Sequence, residues 1–429
     1  MPNRRLIGSS TIRRLSRLDP RRALLFASIA GGLLVPLYFF VLAPTTYLGW
    51  DFHAYYAAAS AALTGSSFVG VDTGITGVTY VYPPPSVLVF LPLAPVENWL
   101  VAFALQSVVN VAAALGVAAL VVHVVERQRG RLPSSDRLLI TGCCVGSAPV
   151  AASLGLGQVD TLVALALASA FLALEYGRES AAGTLLGAAA LVKMFPAALG
   201  VWLLYRRAWR ALAAATATGV TGLAVGAVLF GVDSYRRFLT VLASRSRLDA
   251  FAETVSPNFF AMSLSRPLSQ LLPPVPPVTY IVVSVLLVTP VLWRAANSGA
   301  TVADRLATFL AFLTAILVVS PASNTTYVLY LYFPVLCLFY LDTGRHQPLL
   351  FAGFAALSFP IQPAQVSAVL AAAGTPTAVQ QSVSAVATSS LTVVSVPLLG
   401  CLSILAWCGA RGFDTAQTRH SGAVSKADD

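Results

Sequence analysis

Long apolar runs separated by short polar segments fill the chain from about residue 23 onwards. A helix needs about 20 apolar residues to cross the hydrocarbon of a bilayer, and the run 23–44 has that length. Further apolar runs, some of them shorter, follow at 96–125, 138–154, 162–174, 211–230, 278–293, 306–320, 327–341, 349–360 and 391–407. The pattern predicts an all-α polytopic membrane protein with roughly ten to thirteen transmembrane helices.

Two segments depart from this simple pattern. The segment of about 45–96 carries polar and aromatic residues, and its small-residue stretch 55–63 is too short to span, so we predict interfacial helices there. The run 180–205 is apolar with basic residues at both ends, but Lys193 interrupts it. Because about 26 residues at 1.5 Å per residue are too few for two full spans, we predict a broken helix or a short helix pair with Lys193 at its turn.

The charges follow the apolar pattern. Only 10% of the 429 residues are charged and the mean hydropathy is +0.77, whereas soluble domains carry about 25% charged residues. The net charge of +10 would by itself suit a protein that binds nucleic acid. However, most Lys and Arg residues lie in the N-terminal segment and in every second loop, which is the distribution of a membrane topology. We therefore predict a cell-membrane protein with no nucleic-acid partner, whose segments 45–96 and 231–277 are extracytoplasmic.

The same distribution predicts the domain organisation. A single transmembrane domain is expected over 23–410, between a basic cytoplasmic N-terminus at 1–22 and a cytoplasmic tail at 411–429. The four histidines are scattered, and the five cysteines lie in or beside apolar runs, where they are most simply small buried hydrophobes. We therefore expect no metal site, no disulfide framework and no cofactor.

Several polar residues lie on the predicted outer face of this apolar chain and are the candidates for chemistry. They are Asp51, Tyr55, Tyr80, Tyr82, Gln158, Asp160, Lys193, Asn258 and Arg266. A carboxylate at the mouth of a membrane helix is costly unless it is solvated or paired. Asp51 is therefore open to three interpretations: an ordinary interfacial residue, an ion or proton site of a transporter, or a catalytic base facing a lipid-linked substrate.

The other candidates also have simpler explanations. Gln158 and Asp160 belong to a segment that could merely cap a helix, and Lys193 could extend its ammonium to the membrane interface. The position of Lys193 inside an apolar run favours a functional role over this interfacial one. The arginines of 231–277 fit either a solvated loop or a phosphate clamp. Motifs for a phosphate-binding loop, a zinc protease, a serine-hydrolase elbow and a metal–nucleotide carboxylate pair are absent from the sequence.

Three ordered motifs between about residues 50 and 210 resemble glycosyltransferase family 87 of the GT-C superfamily. The first comprises WDFHAYYAAASAALTG and YVYPPPSVLVFLPLAP, the second is GLGQVD, and the third is AAGTLLGAAALVKMFPAALGVWLLYRRAWRA. The later segment SPNFFAMSLSRPL matches a family element less closely. Asp160 stands where the family usually has Asn. SPASNTTY (320–327) lacks the Trp and the His pair of the corresponding family motif, so the identity of the donor sugar is not carried over.

This resemblance implies a GT-C-like helix bundle and an inverting transfer from a polyprenyl-phosphate sugar donor to a glycan or glycolipid acceptor. Asp51 matches the position of the family's catalytic base, and Lys193, with Arg266 as a further possibility, would meet the charge of the leaving phosphate. Tyr55, Tyr80 and Tyr82 would line the sugar or lipid groove, and Gln158, Asp160 and Asn258 belong to matching motifs.

Two other classes of function remain open from the sequence. A multi-pass transporter or flippase would also use broken helices and buried charges, although the sequence shows no internal repeat. A membrane scaffold without catalysis would have no need for Asp51 and Lys193 on one face.

Overall fold

The computed structural model describes residues 19–37, 48–244, 261–272, 275–296, 299 and 301–425, without the side chains of 372 and 414–425. Eighteen α-helices in this part of the chain are α1 (Pro20–Leu37), α2 (Trp50–Leu63), α3 (Trp99–Arg129), α4 (Ser134–Gly146), α5 (Ala148–Leu156), α6 (Asp160–Glu175), α7 (Glu179–Val192), α8 (Gly200–Tyr205), α9 (Trp209–Phe230), α10 (Val232–Ser244), α11 (Ser265–Leu271), α12 (Pro277–Ala296), α13 (Val302–Val319), α14 (Leu329–Leu341), α15 (Gln347–Ser358), α16 (Pro363–Ala372), α17 (Thr377–Val393) and α18 (Val396–Ser425). Short 3₁₀ helices lie at Pro84–Val89, Leu91–Leu93, Phe195–Leu199 and Thr325–Val328.

The helices confirm an all-α membrane protein. Six described helical segments are long and apolar enough to cross a bilayer: α3, α4 joined to α5, α9, α12, α13 and the Val396–Phe413 part of α18. A seventh span is obtained if α15 and most of α16, which meet at a bend of 72°, cross together. Within the described ranges this count is below ten, since several predicted runs form helices too short to span alone, among them α14 and the α7–α8 pair.

The prediction of a broken helix over 180–205 is confirmed. Helix α7 ends at Val192, Lys193 adopts an extended backbone conformation, and the 3₁₀ helix Phe195–Leu199 leads into α8. Pro196 lies at the start of the 3₁₀ helix, where its missing N–H and fixed φ angle are tolerated. The break places Lys193 at the tip of this helix pair.

The centre of the bundle is α14, whose residues from Leu329 to Tyr340 are all buried. It packs against α3, α6, α13 and α15. By contrast, α9 and α12 expose large apolar side chains such as Val228 and Leu286. In a helix long enough to span, exposed apolar side chains can contact lipid. The helix itself satisfies the hydrogen bonds of its backbone, which lipid could not do.

Partly buried ion pairs join the helices at the bundle end remote from the turn between α5 and α6. At the far end of α6, Glu175 accepts hydrogen bonds from Arg305 at 2.8 and 2.5 Å. Arg411 of α18 contacts both Asp304 (2.9 Å) and Asp342. This end, with its many arginines, is the one that the charge pattern predicts to be cytoplasmic.

Candidate active site

The helix that carries Asp51 is anchored to the turn between α5 and α6. Asp51 lies in the first turn of α2, where the helix dipole favours an ionised carboxylate. Just before this helix, the Gly49 N–H donates to the Gly155 carbonyl at 2.7 Å. Phe52 is fully buried beneath Gly157, whose φ is +73° and whose hypothetical Cβ would lie 2.5 Å from the Cβ of Phe52. A glycine is therefore required at 157 both for the backbone angle and for the close approach.

Two amide side chains of α3 hold the same turn from the other side. Gln106 donates to the Gly157 carbonyl at 2.5 Å, and Asn110 donates to the Gln158 carbonyl at 2.8 Å. Asn110 also accepts from the Thr161 hydroxyl at 3.0 Å. The sequence analysis did not single out Gln106 and Asn110. Their spacing of four residues, which places both on one face of a long apolar helix, was the signal that could have identified them.

Lys193 and Asp160 form a buried ion pair at the centre of the site. The Lys193 Nζ lies 2.5 Å from Asp160 Oδ1 and 2.7 Å from Gln158 Oε1, and the two charged side chains are only 2% and 0% exposed. Tyr330 donates to the same Asp160 oxygen at 2.5 Å. The Tyr327 ring lies 4.8 Å from the Lys193 ammonium in cation–π geometry. Lys193 is thus held by the turn between α5 and α6, by the first residue of α6 and by the 3₁₀ helix Thr325–Val328.

Tyrosines connect this ion pair to the helix of Asp51. Tyr55 donates to Gln158 Oε1 at 3.1 Å, and its hydroxyl lies 2.9 Å from that of Tyr82. Burial raises the pKa of the Tyr82 phenol; the charge of Lys193 opposes that rise and the charge of Asp51 adds to it. Tyr82 therefore lies within electrostatic range of both Lys193 and Asp51.

Tyr80 stands one step further from the charged groups. Its hydroxyl pairs with the Ser86 Oγ at 2.5 Å, and burial raises the pKa of its phenol. Its ring packs edge-on against Tyr55 and Phe68 in a second small core beside the site. The structure thus gives Tyr80 a packing environment, whereas the hydroxyls of Tyr55 and Tyr82 join the polar network.

The segment 320–327 and its neighbours form another wall of the site. Ala261 forms an isolated β bridge with Asn324, and the Leu264 N–H donates to the Val318 carbonyl at 2.7 Å. The chain then leads into Tyr327 and Tyr330, which the sequence analysis did not predict as site residues. Their rings lie 5.3 Å apart and both contact Phe195. Tyr327 is the last residue of the segment that corresponds to the family motif with the Trp and His pair, and Tyr330 follows that segment.

The described hydrogen bonds of Arg266 lie away from this network. Arg266 is fully buried, and it donates to the carbonyls of Thr392 (2.9 Å) and Leu391 (2.6 Å) at the end of α17. A cation at a helix C-terminus is favourable because the last carbonyls lack helical partners. Asn258 lies outside the described residues.

Comparison with known proteins identifies the family. The sequence model of glycosyltransferase family 87 matches residues 80–321. A relative from Mycolicibacterium smegmatis, a polyprenol-phosphate-mannose-dependent alpha-(1-2)-phosphatidylinositol pentamannoside mannosyltransferase, is 31% identical over 242 residues. That alignment spans 55% of this chain and 55% of the relative, so the likeness covers about half of each. The family match includes Tyr82, Gln158, Asp160 and Lys193 but begins after Asp51. On the extent of this match, the chain belongs to glycosyltransferase family 87.

Proposed function

We propose that this membrane glycosyltransferase moves a mannose-like sugar from a polyprenyl-phosphate donor to a hydroxyl of a glycolipid or glycan acceptor. The observation that carries the proposal is the chain of contacts from Lys193 through Gln158 and Tyr55 to Tyr82, which joins a buried cation to the helix of Asp51. Membership of the family and the mannosyltransferase relative support the donor class.

Asp51 is the proposed general base. Its carboxylate takes the proton of the acceptor hydroxyl while that oxygen attacks the anomeric carbon of the donor sugar. The bond between the anomeric carbon and the phosphate oxygen breaks, and its electron pair leaves with polyprenyl phosphate. A single base and direct displacement correspond to inversion at the anomeric carbon. The half-exposed position of Asp51 in the first turn of α2 suits this role, because a substrate can reach the carboxylate.

Lys193 is the proposed cation for the donor phosphate. An ammonium group has three N–H donors, and two of them are used by Gln158 and Asp160. In this proposal the remaining N–H donates to a phosphate oxygen that gains negative charge as the sugar leaves. Tyr55 and Tyr82 would contribute hydroxyl groups beside it, and Arg266 and Asn258 remain proposals as substrate contacts.

We place this reaction at the extracytoplasmic face of the cell membrane. The arginine-rich end of the bundle lies away from the site, as the positive-inside rule requires for a site on the outer side. Nucleotide-activated sugars are cytoplasmic substrates, whereas a lipid-linked sugar brings its activation with it. An enzyme with so little polar mass outside its helices is suited to such a donor.

The test is sugar transfer in membranes that contain the full chain. With labelled polyprenyl-phosphate-mannose and a phosphatidylinositol mannoside acceptor, Asp51→Asn should lower turnover by about 10²–10⁴-fold, because the amide keeps the size but cannot take the proton. Asp72→Asn is the matched control, since Asp72 is an exposed carboxylate of the same segment that accepts from its own turn at Gly74. Equal turnover by wild type and Asp51→Asn would remove Asp51 from the mechanism.

A further inference from the structure

Helix α10 begins where a lipid-facing helix ends. The preceding α9 exposes Val220, Val228 and Leu229, and among the described helices its main neighbour is α7. Only Gly231, with a φ of 75°, separates α9 from α10. The Tyr235 hydroxyl also reaches back to the Leu223 carbonyl of α9 at 2.6 Å. The start of α10 is therefore held beside the last two turns of α9.

The side chains of α10 divide into three faces. One face packs on the protein through Phe238, which is only 6% exposed, and through Val241. A second face is apolar but exposed, with Val232, Leu239 and Leu242 at 60%, 61% and 37%. At 3.6 residues per turn these three side chains lie along one side of the helix. An exposed apolar stripe of this kind, on a helix tied to a membrane span, fits the acyl boundary of a bilayer.

The third face of α10 is polar and basic. Arg236 and Arg237 are exposed there, and Asp233 pairs with Arg236 at 2.9 Å. The sequence continues with Arg245 and Arg247, so the charge of this stretch is positive despite Asp233. Arginines beside such a stripe would lie at the height of the headgroups, where a cation attracts anionic lipid.

We propose that α10 is an interfacial helix that binds the anionic headgroups of the bilayer leaflet through Arg236 and Arg237. The same helix forms part of the small core beside the active site. Val241 contacts Gly70 so closely that a Cβ there would lie 3.1 Å from it. Phe238 belongs to the cluster that contains Tyr55 and Tyr80. Lipid bound to α10 would therefore act on a helix that packs, through Phe238 and Val241, against the core that contains Tyr55.

The first part of the test locates the apolar stripe. All five native cysteines are buried, so a bimane label attached to Leu239→Cys in the full chain reports one position. In nanodiscs, lipids with brominated acyl chains should quench bimane at 239. Bimane at Thr240→Cys, on the neighbouring polar face, is the control and should be quenched much less. Absence of quenching at 239 would overturn the proposal, because the stripe would then face water or another protein.

The second part measures headgroup preference. Nanodiscs contain equal parts of phosphatidylglycerol and phosphatidylcholine, with bromine on only one of the two. Bimane at 239 should be quenched more when phosphatidylglycerol carries the bromine. Arg237→Gln should reduce that preference by about five-fold, since one arginine contributes about 1 kcal/mol. Arg207→Gln, an exposed arginine at the opposite end of the bundle, should leave the preference unchanged.

The outcomes distinguish the ligands that Arg236 and Arg237 could bind. Equal quenching by both lipids, or a preference that survives Arg236→Gln together with Arg237→Gln, would overturn anionic headgroup binding. Loss of the preference on addition of stoichiometric polyprenyl phosphate would overturn it too, because the arginines would then bind the substrate headgroup. These measurements need no sugar transfer, so their result is independent of the proposed reaction.

Discussion

Lys193 and Asp160 are withdrawn from solvent together, and each is the charged partner of the other. Burying a charge is tolerated only when it is paired and hydrogen-bonded, and here Gln158 and Tyr330 add the required hydrogen bonds. One Asp160 oxygen, Oδ2, is buried without a partner in the described part of the chain. The pair therefore has a high desolvation cost. Such a cost is typical of a functional site rather than of a stabilising core.

The first prediction separates the two roles of this pair. Lys193→Ala leaves the Asp160 carboxylate buried and uncompensated, so we expect it to lower the free energy of unfolding by about 3–5 kcal/mol and to abolish most donor use. Lys193→Arg should keep part of the activity, because the charge persists with a different geometry. Thermal unfolding in detergent and a donor-binding assay measure the two effects.

A double variant provides the control for this prediction. Lys193→Met with Asp160→Leu removes both charges, so the protein should recover most of its stability while donor use stays lost. If the double variant used the donor normally, Lys193 would be a structural residue and its proposed contact with phosphate would be wrong.

At the scale of elements, α2 is positioned by the turn between α5 and α6 rather than by its own sequence. The Gly49–Gly155 hydrogen bond and the contact of Phe52 with Gly157 fix where the helix begins. Gln106 and Asn110 fix the same turn from α3. The position of α2, and with it that of Asp51, thus depends on three elements at once.

The second prediction tests this arrangement through Gly157→Ala. The added methyl would clash with Phe52 in addition to straining a backbone with a φ of +73°, so we expect a large loss of turnover with the purified protein still folded. Gly177→Ala is the matched control: its φ is +70° but no atom lies within 4 Å of the added Cβ. The control should show only the backbone strain of about 1–2 kcal/mol in thermal unfolding, with turnover kept.

If Gly157→Ala and Gly177→Ala lowered stability equally and both kept wild-type turnover, the turn would not position α2 for catalysis.

At the scale of the whole molecule, the arginine ion pairs and the candidate active site lie at opposite ends of the bundle. Helix α6 begins at the site with Asp160 and ends at Glu175 among the arginine pairs. Helix α7 returns from that end to Lys193. The two helices pack closely along their length. The fold therefore carries a buried ion pair at one end of the bundle and partly buried arginine pairs at the other.

The third prediction concerns the orientation of the bundle. Ser66→Cys and Gln128→Cys place exposed thiols at the two ends, and the native cysteines are buried and should not react. A membrane-impermeant maleimide should label Ser66→Cys in intact cells and Gln128→Cys only after permeabilisation. The opposite result would place the site in the cytoplasm and would contradict the proposed use of an extracytoplasmic acceptor.

The sequence by itself determined the class of the protein, the break at Lys193 and several residues of the buried polar network around it. These features follow from local patterns: run length sets the possibility of a span, and a charge with a nearby proline interrupts an apolar helix. The sequence also carried three motifs of the family to which the chain belongs. It could not specify the number of complete spans, because short apolar runs such as 327–341 can be either spans or buried core helices.

Only the tertiary structure decided which polar groups meet. Lys193 pairs with Asp160, Tyr330 supplies a hydrogen bond from a distant helix, and Arg266 turns to the end of α17. These contacts join residues more than thirty positions apart. A buried polar group must find a partner wherever the packing of helices places one, and sequence spacing does not encode that packing. The pairing of Lys193 could therefore be read only from the folded chain.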